Sequence, residues 1–401
     1  MISRMLHTPE GVRDLYGGSC ENMFYLKDRF HEMFQSFGYS AIQTPTYEFF
    51  DVFGNDIGTV PSRDLYKFFD RNGETLVLRP DITPSIARCA AKYFYEEKMP
   101  VKLYYMGNTF VNNLSLQGRL KEVTQAGAEL IGDSSLDADA EMIVMAVRSL
   151  LSVGLGDFVV SIGHARFLNE LIKEADLDES VSEKLFEYLH NRNYWGVREL
   201  VETCEIATDL AKLFGELGGN YRSADDLLKL HKLSAKRPEI QKIVSYLIDL
   251  CDVLECYKVM DHITFELGMF ENKEYYTGVI FKGYTYGSGE AIFSGGRYDD
   301  LISHFGDGAP AIGFAFVVDE ILIALEKQNI TIPEKPGPIL MIYDRKNRNE
   351  AIERASSLRE KGESVSLLCR DGSLEEGVYR EYIREKGFGS YIEITGDKDE
   401  G

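Results

Sequence analysis

The sequence has 401 residues, 44% of them hydrophobic and 27% charged, which is typical of a globular protein with two or three domains. No stretch approaches the roughly 18 apolar residues that span a bilayer, so we do not expect a membrane protein. The chain carries 44 Lys and Arg against 65 Asp and Glu, a net charge of −21. Binding to nucleic acid is disfavoured, because a phosphate-binding face needs cations.

The N-terminal 15 residues have neither the apolar core of a signal peptide nor the acid-free pattern of a transit peptide. Six cysteines are scattered without a CxxC pair. We therefore expect reduced thiols, no metal site and a cytoplasmic protein.

Helical and strand patterns alternate over the first 160 or so residues. Apolar residues recur at helical spacing over residues 21–37, and Gly38 then ends the predicted helix. Further elements are predicted as strands at residues 40–43, 64–70 and 75–78 and a helix at residues 81–93.

A helical insertion is predicted at about residues 165–258, where the periodicity is almost wholly helical. Its clearest apolar stripe follows Pro238 and consists of Ile240, Ile243, Leu247, Leu250 and Leu254. Strand patterns return at residues 263–267, 275–281 and 290–293, and a helix is predicted at residues 317–326. The insertion therefore divides a core that we assign to residues 1–325.

A small α/β module is predicted after a proline-containing linker at residues 326–338. The module covers residues 339–401 and has a β-α-β-α-β pattern. Its strands are predicted at residues 339–343, 364–368 and 390–394, and its helices at residues 347–361 and 374–386.

Six short segments, in order along the chain, resemble motifs of the histidyl-tRNA synthetase family. They are residues 8–14, 38–45 (motif 1), 78–83 (the LRPE-x-T loop), 125–129 (motif 2), 275–278 (the YYTG strand) and 294–299 (motif 3). Each segment alone is a weak signal, but six in family order are not a coincidence. The resemblance implies an α+β fold, with a class II aminoacyl-tRNA synthetase-like core whose antiparallel sheet is flanked by helices. Residues 339–401 would then be a truncated anticodon-binding-like module.

The arginines with which such a synthetase handles ATP are missing. Where the family has Phe-Arg-x-Glu in motif 2, Phe110 is followed by Val111, Asn112 and Asn113. Glu271 and Glu320 stand where the resemblance places two further arginines. Adenylation needs fixed cations around the phosphates, so we expect no catalytic residues and no cofactor.

A misalignment by a few residues is the alternative, with Arg297 or Lys273 serving as the cation. Three separate losses argue against it. For Gly295, Gly296 and Arg297 themselves, the simpler interpretation is a tight turn with a surface salt bridge.

Part of an amino-acid pocket is retained. The ammonium group of a free amino acid needs carboxylate and carbonyl acceptors, and an imidazole ring needs an aromatic wall. The resemblance assigns histidine binding to six residues, namely Asp81, Thr83, Gln125, Glu129, Tyr275 and Tyr276. Asp81 replaces the longer Glu of the family, and core packing is the alternative role for all six.

Together these features resemble the family of ATP phosphoribosyltransferase regulatory subunits, which are synthetase paralogues. The resemblance implies a non-catalytic subunit required for the first step of histidine biosynthesis, with L-histidine as candidate ligand and feedback inhibitor. It further implies a homodimer, formed through the motif 1 region, that joins the short-form ATP phosphoribosyltransferase catalytic subunit.

Two other functions stay open at this point. One is a divergent histidyl-tRNA synthetase, which the fold favours and the missing arginines oppose. The other is a synthetase-like histidine-binding adaptor with a different partner. Histidine-dependent ATP–pyrophosphate exchange would favour the first, and the identity of a co-purifying chain would separate the second.

Overall fold

The computed structural model describes residues 6–54, 57, 60–112, 120–270, 275–333, 336–373 and 375–394. The chain divides into two compact units, residues 1–332 and residues 333–401. The predicted domain limits at residues 325 and 339 remain a prediction, because compactness alone does not show which part folds independently.

Twelve strands of the described chain belong to the first unit. They are β1 (Ser40–Ala41), β2 (Tyr47–Phe49), β3 (Lys67–Phe69), β4 (Thr75–Leu78), β5 (Val101–Phe110), β6 (Glu122–Ile131), β7 (Phe158–His164), β8 (Asn220–Tyr221), β9 (Ile263–Glu266), β10 (Val279–Thr285), β11 (Phe293–Arg297) and β12 (Ala311–Val317). Nine of them form one sheet in the order β1-β5-β6-β12-β11-β10-β7-β9-β8, and the others form a small sheet in the order β2-β4-β3.

The large sheet is mixed rather than purely antiparallel. Its β1–β5 and β7–β9 pairs are parallel. The six other neighbouring pairs are antiparallel. The antiparallel centre, from β5 through β6, β12, β11 and β10 to β7, is the part that presents the expected pocket residues.

Ten α-helices of the described chain lie in the first unit. They are α1 (Gly18–Ser36), α2 (Thr83–Tyr93), α3 (Leu136–Ser152), α4 (Ala165–Glu174), α5 (Glu179–His190), α6 (Tyr194–Glu202), α7 (Thr208–Gly215), α8 (Ala224–Leu233), α9 (Pro238–Cys256) and α10 (Val318–Lys327). Several begin at a side-chain cap, as when the Ser135 hydroxyl accepts the Ala138 N–H before α3.

The main core lies on one face of the large sheet. Along β6 the buried Ala126, Ala128 and Leu130 face this core, where α1 and α3 pack. Phe30 of α1 stacks on Phe316 of β12 with ring centroids 4.7 Å apart. Because side chains alternate along a strand, Gln125, Gly127 and Glu129 point to the opposite face.

The helical insertion consists of α4 to α9 and the short strand β8. The predicted stripe of α9 is buried along its whole length. Tyr221 of β8 pairs with Phe265 of β9, so the insertion also contributes an edge strand to the sheet, which helical periodicity could not reveal.

The segment around the YYTG motif departs from the predicted strand. β10 begins at Val279, so Tyr275 and Tyr276 precede it. Thr277 explains the late start, because its N–H donates to the Arg297 carbonyl and its hydroxyl accepts the Asp299 N–H. At Thr277 these two hydrogen bonds to Arg297 and Asp299 take the place of regular β-ladder pairing.

The interpretation of Gly295 and Gly296 as a tight turn is wrong. Both residues lie inside β11, where Gly295 pairs with Phe281 and Phe314. A Cβ at Gly295 would come within 2.6 Å of the Gly313 carbonyl oxygen. The glycine is therefore needed for close approach within the sheet rather than for chain reversal.

Arg297 is buried, and besides an ion pair with the more exposed Asp299 at 3.2 Å it contacts buried groups. Its guanidinium donates to Asp139 on α3 at 2.9 Å and to the Asp133 carbonyl at 3.0 Å. Asp139 also accepts the Tyr246 hydroxyl of α9 at 2.6 Å. This network joins β11, α3 and the helical insertion.

The second unit is a three-stranded parallel sheet with two α-helices in its described residues. Its elements are β13 (Ile339–Tyr343), α11 (Arg348–Glu360), β14 (Val365–Cys369), α12 (Glu376–Glu385) and β15 (Ser390–Ile394). They match the predicted β-α-β-α-β pattern. Across the described chain, no helix is both long and apolar enough to cross a membrane.

We predict that Arg297→Met lowers the free energy of unfolding by about 3–5 kcal/mol, because it leaves the Asp139 carboxylate buried without its cation. Urea denaturation followed by circular dichroism measures this change. The double variant Arg297→Met/Asp139→Leu is the control and should recover most of the loss. A single variant within 1 kcal/mol of the parent protein would contradict a structural role for this pair.

Candidate site on the second face of the sheet

The candidate pocket is built where the start of α2 meets β6. Asp81 and Thr83 lie at the start of α2, and both are buried. Pro84 in the first turn suits a helix start, because its missing N–H would have no partner there. Gln125 and Glu129 come from the same face of β6.

Glu129 is the centre of this pocket. Its side chain is 1% exposed and accepts hydrogen bonds from three hydroxyl groups. Thr83 donates to Oε1 at 2.8 Å, Tyr105 of β5 donates to Oε1 at 3.3 Å, and Tyr298 donates to Oε2 at 2.5 Å. A carboxylate can accept about four hydrogen bonds, so one acceptor position remains for a ligand.

Gly313 makes room for this carboxylate. It pairs with Glu129 across the β6–β12 ladder, and a Cβ at its position would lie 1.5 Å from Glu129 Oε2. Any side chain at residue 313 would therefore displace the carboxylate.

The pKa of Glu129 is raised to about 7, chiefly by burial. The nearby Asp81 carboxylate contributes to the increase, whereas the hydrogen bonds from Tyr298, Thr83 and Tyr105 lower the pKa and partly offset it. The groups that act most strongly on Glu129 are thus hydroxyls and a second carboxylate. The pocket has the electrostatics of a site that a ligand ammonium or N–H group would complete.

Gln125 lies farther along β6. Glu129 is the fourth residue after it along the strand, so their Cα atoms are about 13 Å apart. Its Oε1 atom is buried and has no hydrogen-bond partner among the described residues. A buried amide oxygen without a donor is costly, which makes Gln125 a second candidate acceptor.

The two predicted wall tyrosines are placed beside the pocket. Tyr275 is buried, with its ring 4.8 Å from Tyr276 and 5.9 Å from Tyr298, centroid to centroid. Tyr276 covers Gly296, where a Cβ would lie 2.8 Å from the tyrosine ring. The structure thus brings Thr83, Glu129 and Tyr275 into one cluster through Tyr298.

Three residues that complete the cluster were missed by the sequence reasoning. Tyr298 lies in the motif 3 segment at residues 294–299, where the sequence drew attention only to Gly295, Gly296 and Arg297. Tyr105 lies at an alternating position of β5, and Gly313 has no signal apart from the register between strands. Alternation along β5 could have identified Tyr105.

The described positions that match the ATP arginines carry no cation. The Val111 N–H, just after β5, donates to the Lys121 carbonyl. Glu320 lies in the first turn of α10, accepts the Ser288 hydroxyl at 2.7 Å and forms no ion pair within the described ranges. Asn113, Glu271 and Lys273 lie outside the described residues.

The neighbouring carboxylate, Asp319, is also firmly held. It pairs with Arg13 at 2.7 Å and accepts the Thr124 N–H at 2.8 Å. Arg297 was one of two residues that could have replaced a missing ATP arginine. Its guanidinium instead forms an ion pair with Asp139. In the part of the chain that the structure describes, no group of three or more His, Cys, Asp or Glu could hold a metal ion.

Comparison with known proteins places this geometry in a family. The family model for histidyl-tRNA synthetase matches residues 11–321. The ATP phosphoribosyltransferase regulatory subunit of Acetivibrio thermocellus is 34% identical over 399 residues, which cover 100% of this chain and 95% of that protein.

Solved structures agree with the sequence comparisons. A Bacillus halodurans protein described as an ATP phosphoribosyltransferase regulatory subunit/histidyl-tRNA synthetase has a TM-score of 0.87 at 30% identity, covering 98% of this chain and 100% of that one. Histidyl-tRNA synthetase from a Nostoc species, at 21% identity, has a TM-score of 0.81 and covers 98% of this chain and 92% of its own, which shows a shared fold.

Proposed function

The chain belongs to the ATP phosphoribosyltransferase regulatory subunit family, which has the histidyl-tRNA synthetase fold, and on this premise we propose that it is a non-catalytic subunit of that transferase. The observation that carries the proposal is the site itself, which gathers three hydroxyl groups around the buried Glu129 carboxylate and has Glu320 where the resemblance places an ATP arginine. Its role would be to support the first step of histidine biosynthesis and to transmit inhibition by histidine.

Electrostatics supports a non-catalytic role. A unit charge about 5 Å from a phosphate contributes roughly 3 kcal/mol at an effective dielectric near 20. A carboxylate in place of an arginine turns that attraction into repulsion. Since Glu320 is held by Ser288 and Asp319 by Arg13, both carboxylates would remain beside any bound phosphate.

Histidine is the ligand that the pocket favours. Its ammonium group would supply a cation to the Glu129 carboxylate, and the tyrosine wall suits its ring. Gln125 would accept a second N–H group at the far end of the ligand. The partner would be the short-form catalytic subunit, which condenses ATP with phosphoribosyl pyrophosphate.

An exposed apolar face supports the proposed homodimer. Five side chains point outward from one face of the small β2-β4-β3 sheet, because residues paired across strands share a face. They are Tyr47, Phe49, Phe68, Leu76 and Leu78. Tyr47 is 54% and Phe49 56% exposed, and contiguous exposed apolar side chains are typical of a protein–protein interface.

Reconstitution tests the main proposal. Added to the separately purified short-form catalytic subunit, this chain should raise ATP-dependent phosphoribosyl transfer and elute with it as one complex. Alone it should give no transfer and no histidine-dependent ATP–pyrophosphate exchange. Exchange by the isolated chain would identify a synthetase, and a lack of both complex and stimulation would exclude a subunit role.

Histidine binding should be coupled to proton release. With the pKa of Glu129 at about 7, half of these groups are protonated at pH 7. An ammonium ligand needs the ionised form, so about half a proton should leave per histidine bound, and affinity should fall below pH 7. Isothermal titration calorimetry in buffers of different ionisation enthalpy measures this number.

Two variants and a control sharpen that measurement. Glu129→Gln should abolish the proton release and weaken binding. Asp81→Asn should reduce the release, because the Asp81 charge helps to raise the pKa of Glu129. Glu326→Gln changes an exposed carboxylate and should behave like the parent protein. Unchanged histidine affinity in Glu129→Gln would move the site elsewhere.

The dimer can be tested on the exposed sheet face. Phe49→Asp should convert the dimer to a monomer in sedimentation velocity, because a charge would be buried in an apolar interface. Tyr286→Asp is the matched control, since Tyr286 is 73% exposed and lies outside this sheet. A dimer that persists in Phe49→Asp would assign the interface to another surface.

A further inference from the structure

We propose a second small-molecule site, a cationic cavity on the same sheet face as Glu129, that binds a ring-bearing phosphate compound such as a nucleoside monophosphate. Two adjoining cavities of about 560 Å³ and 280 Å³ form it. They share four lining residues, which are Arg192, Tyr194, Glu266 and Tyr284. We call this space the arginine cavity. Its size lies in the range of ordinary ligand pockets, roughly 300–1,000 Å³.

Two arginines of the arginine cavity are available to a ligand. Arg192, Arg222 and Lys282 line it. Neither arginine forms an ion pair within the described ranges, although the chain carries a net charge of −21. By contrast, Arg237 of the same helical insertion pairs with two carboxylates. Two guanidinium groups that form no ion pair within the described ranges suit a phosphate group, although Glu266 and Glu290 also line the space.

The backbone at Arg192 supports a ligand-binding role for its side chain. Arg192 has a φ of +52° just after α5. Its N–H donates to the Leu189 carbonyl and the Asn193 N–H donates to the Tyr188 carbonyl, a helix ending that favours glycine. An arginine there is unfavourable for the backbone, yet it brings the guanidinium 5.6 Å from the Tyr284 ring centroid.

The other walls suit the uncharged parts of a nucleotide. Tyr284 and Tyr194 offer aromatic faces for a base. The Tyr194 hydroxyl donates to Glu266 at 3.0 Å and fixes a carboxylate that can accept ribose hydroxyl groups. The net charge of the chain disfavours a long polyanion, so a small phosphate ester fits better than RNA.

The arginine cavity is separate from the pocket at Glu129. Lys282 of β10 lies in register with Ser294 of β11, Ala315 of β12 and Gly127 of β6. Since neighbouring strands are about 4.8 Å apart, the three spacings put Lys282 about 14 Å from β6. The proposal rests on the cavity alone and does not require the proposed function.

Titration of the full chain with adenosine monophosphate tests the assignment. Calorimetry gives the affinity, and the fluorescence of Trp195, the one tryptophan of the sequence, gives a second signal next to Tyr194. Saturable binding is expected. Adenosine and inorganic phosphate should each bind at least tenfold more weakly, because adenosine lacks the phosphate group and inorganic phosphate lacks the base and ribose.

The decisive variant is Arg192→Gly/Arg222→Ala. Glycine keeps the left-handed backbone at residue 192 and removes only the cation, so the fold should survive. Nucleotide affinity should fall at least tenfold, whereas Arg63→Ala, at a side chain 85% exposed and remote from the cavity residues in sequence, should leave it unchanged.

Three results would overturn the proposal. They are no saturable binding up to millimolar nucleotide, equal affinity in the double variant, or tighter binding of a single-stranded oligonucleotide than of the mononucleotide. None of them bears on the transferase test, which needs the partner subunit.

Discussion

The burial of one carboxylate, that of Glu129, constrains the sheet face opposite the main core. Moving a carboxylate out of water is costly, so its neighbours must supply donors. Here Thr83 at the start of α2, Tyr105 of β5 and Tyr298 after β11 do so, while Gly313 of β12 leaves the space. The pKa of about 7 shows that desolvation still outweighs these bonds. Four segments thus meet at one group that is not fully satisfied, as expected of a binding site rather than of a stabilising one.

The parts of the fold that the sequence predicted are those set by local periodicity. Residues 21–37 matched α1 within three residues, and the second unit followed its predicted order, because amphipathic spacing and turn residues are local signals. The class II synthetase fold was confirmed, with a mixed sheet. By contrast, the role of Gly295 and the burial of Arg297 depend on which strands pair, and register is a tertiary property. For the same reason, residue types alone indicated Glu129 but not Gly313.

The acidic residues at the start of α10, where the resemblance places an ATP arginine, are stabilised by their own contacts. Asp319 combines Arg13, from the N-terminal segment, with a backbone N–H of β6. Its position in the first turn of α10 also suits a carboxylate, because the helix dipole is positive there. Glu320 gains from the same dipole and from Ser288. A helix start that attracts a phosphate in other proteins is here neutralised by the chain itself, which is consistent with the loss of ATP chemistry.

The shared sheet face gives the two proposed sites a physical means of coupling. Histidine binding that drives about half a proton from Glu129 makes its pocket more negative by about half a charge. Strand spacing and rise put Lys282, one of the cations that line the arginine cavity, about 15 Å away. At an effective dielectric near 20, half a unit charge at that distance changes the energy of a bound anion by about 0.5 kcal/mol. Its sign makes histidine and a phosphate ester oppose each other, with a coupling just below the typical allosteric range of about 1–3 kcal/mol. A regulatory effect of this size therefore needs no large movement of the sheet, only a change in the protonation of one buried group.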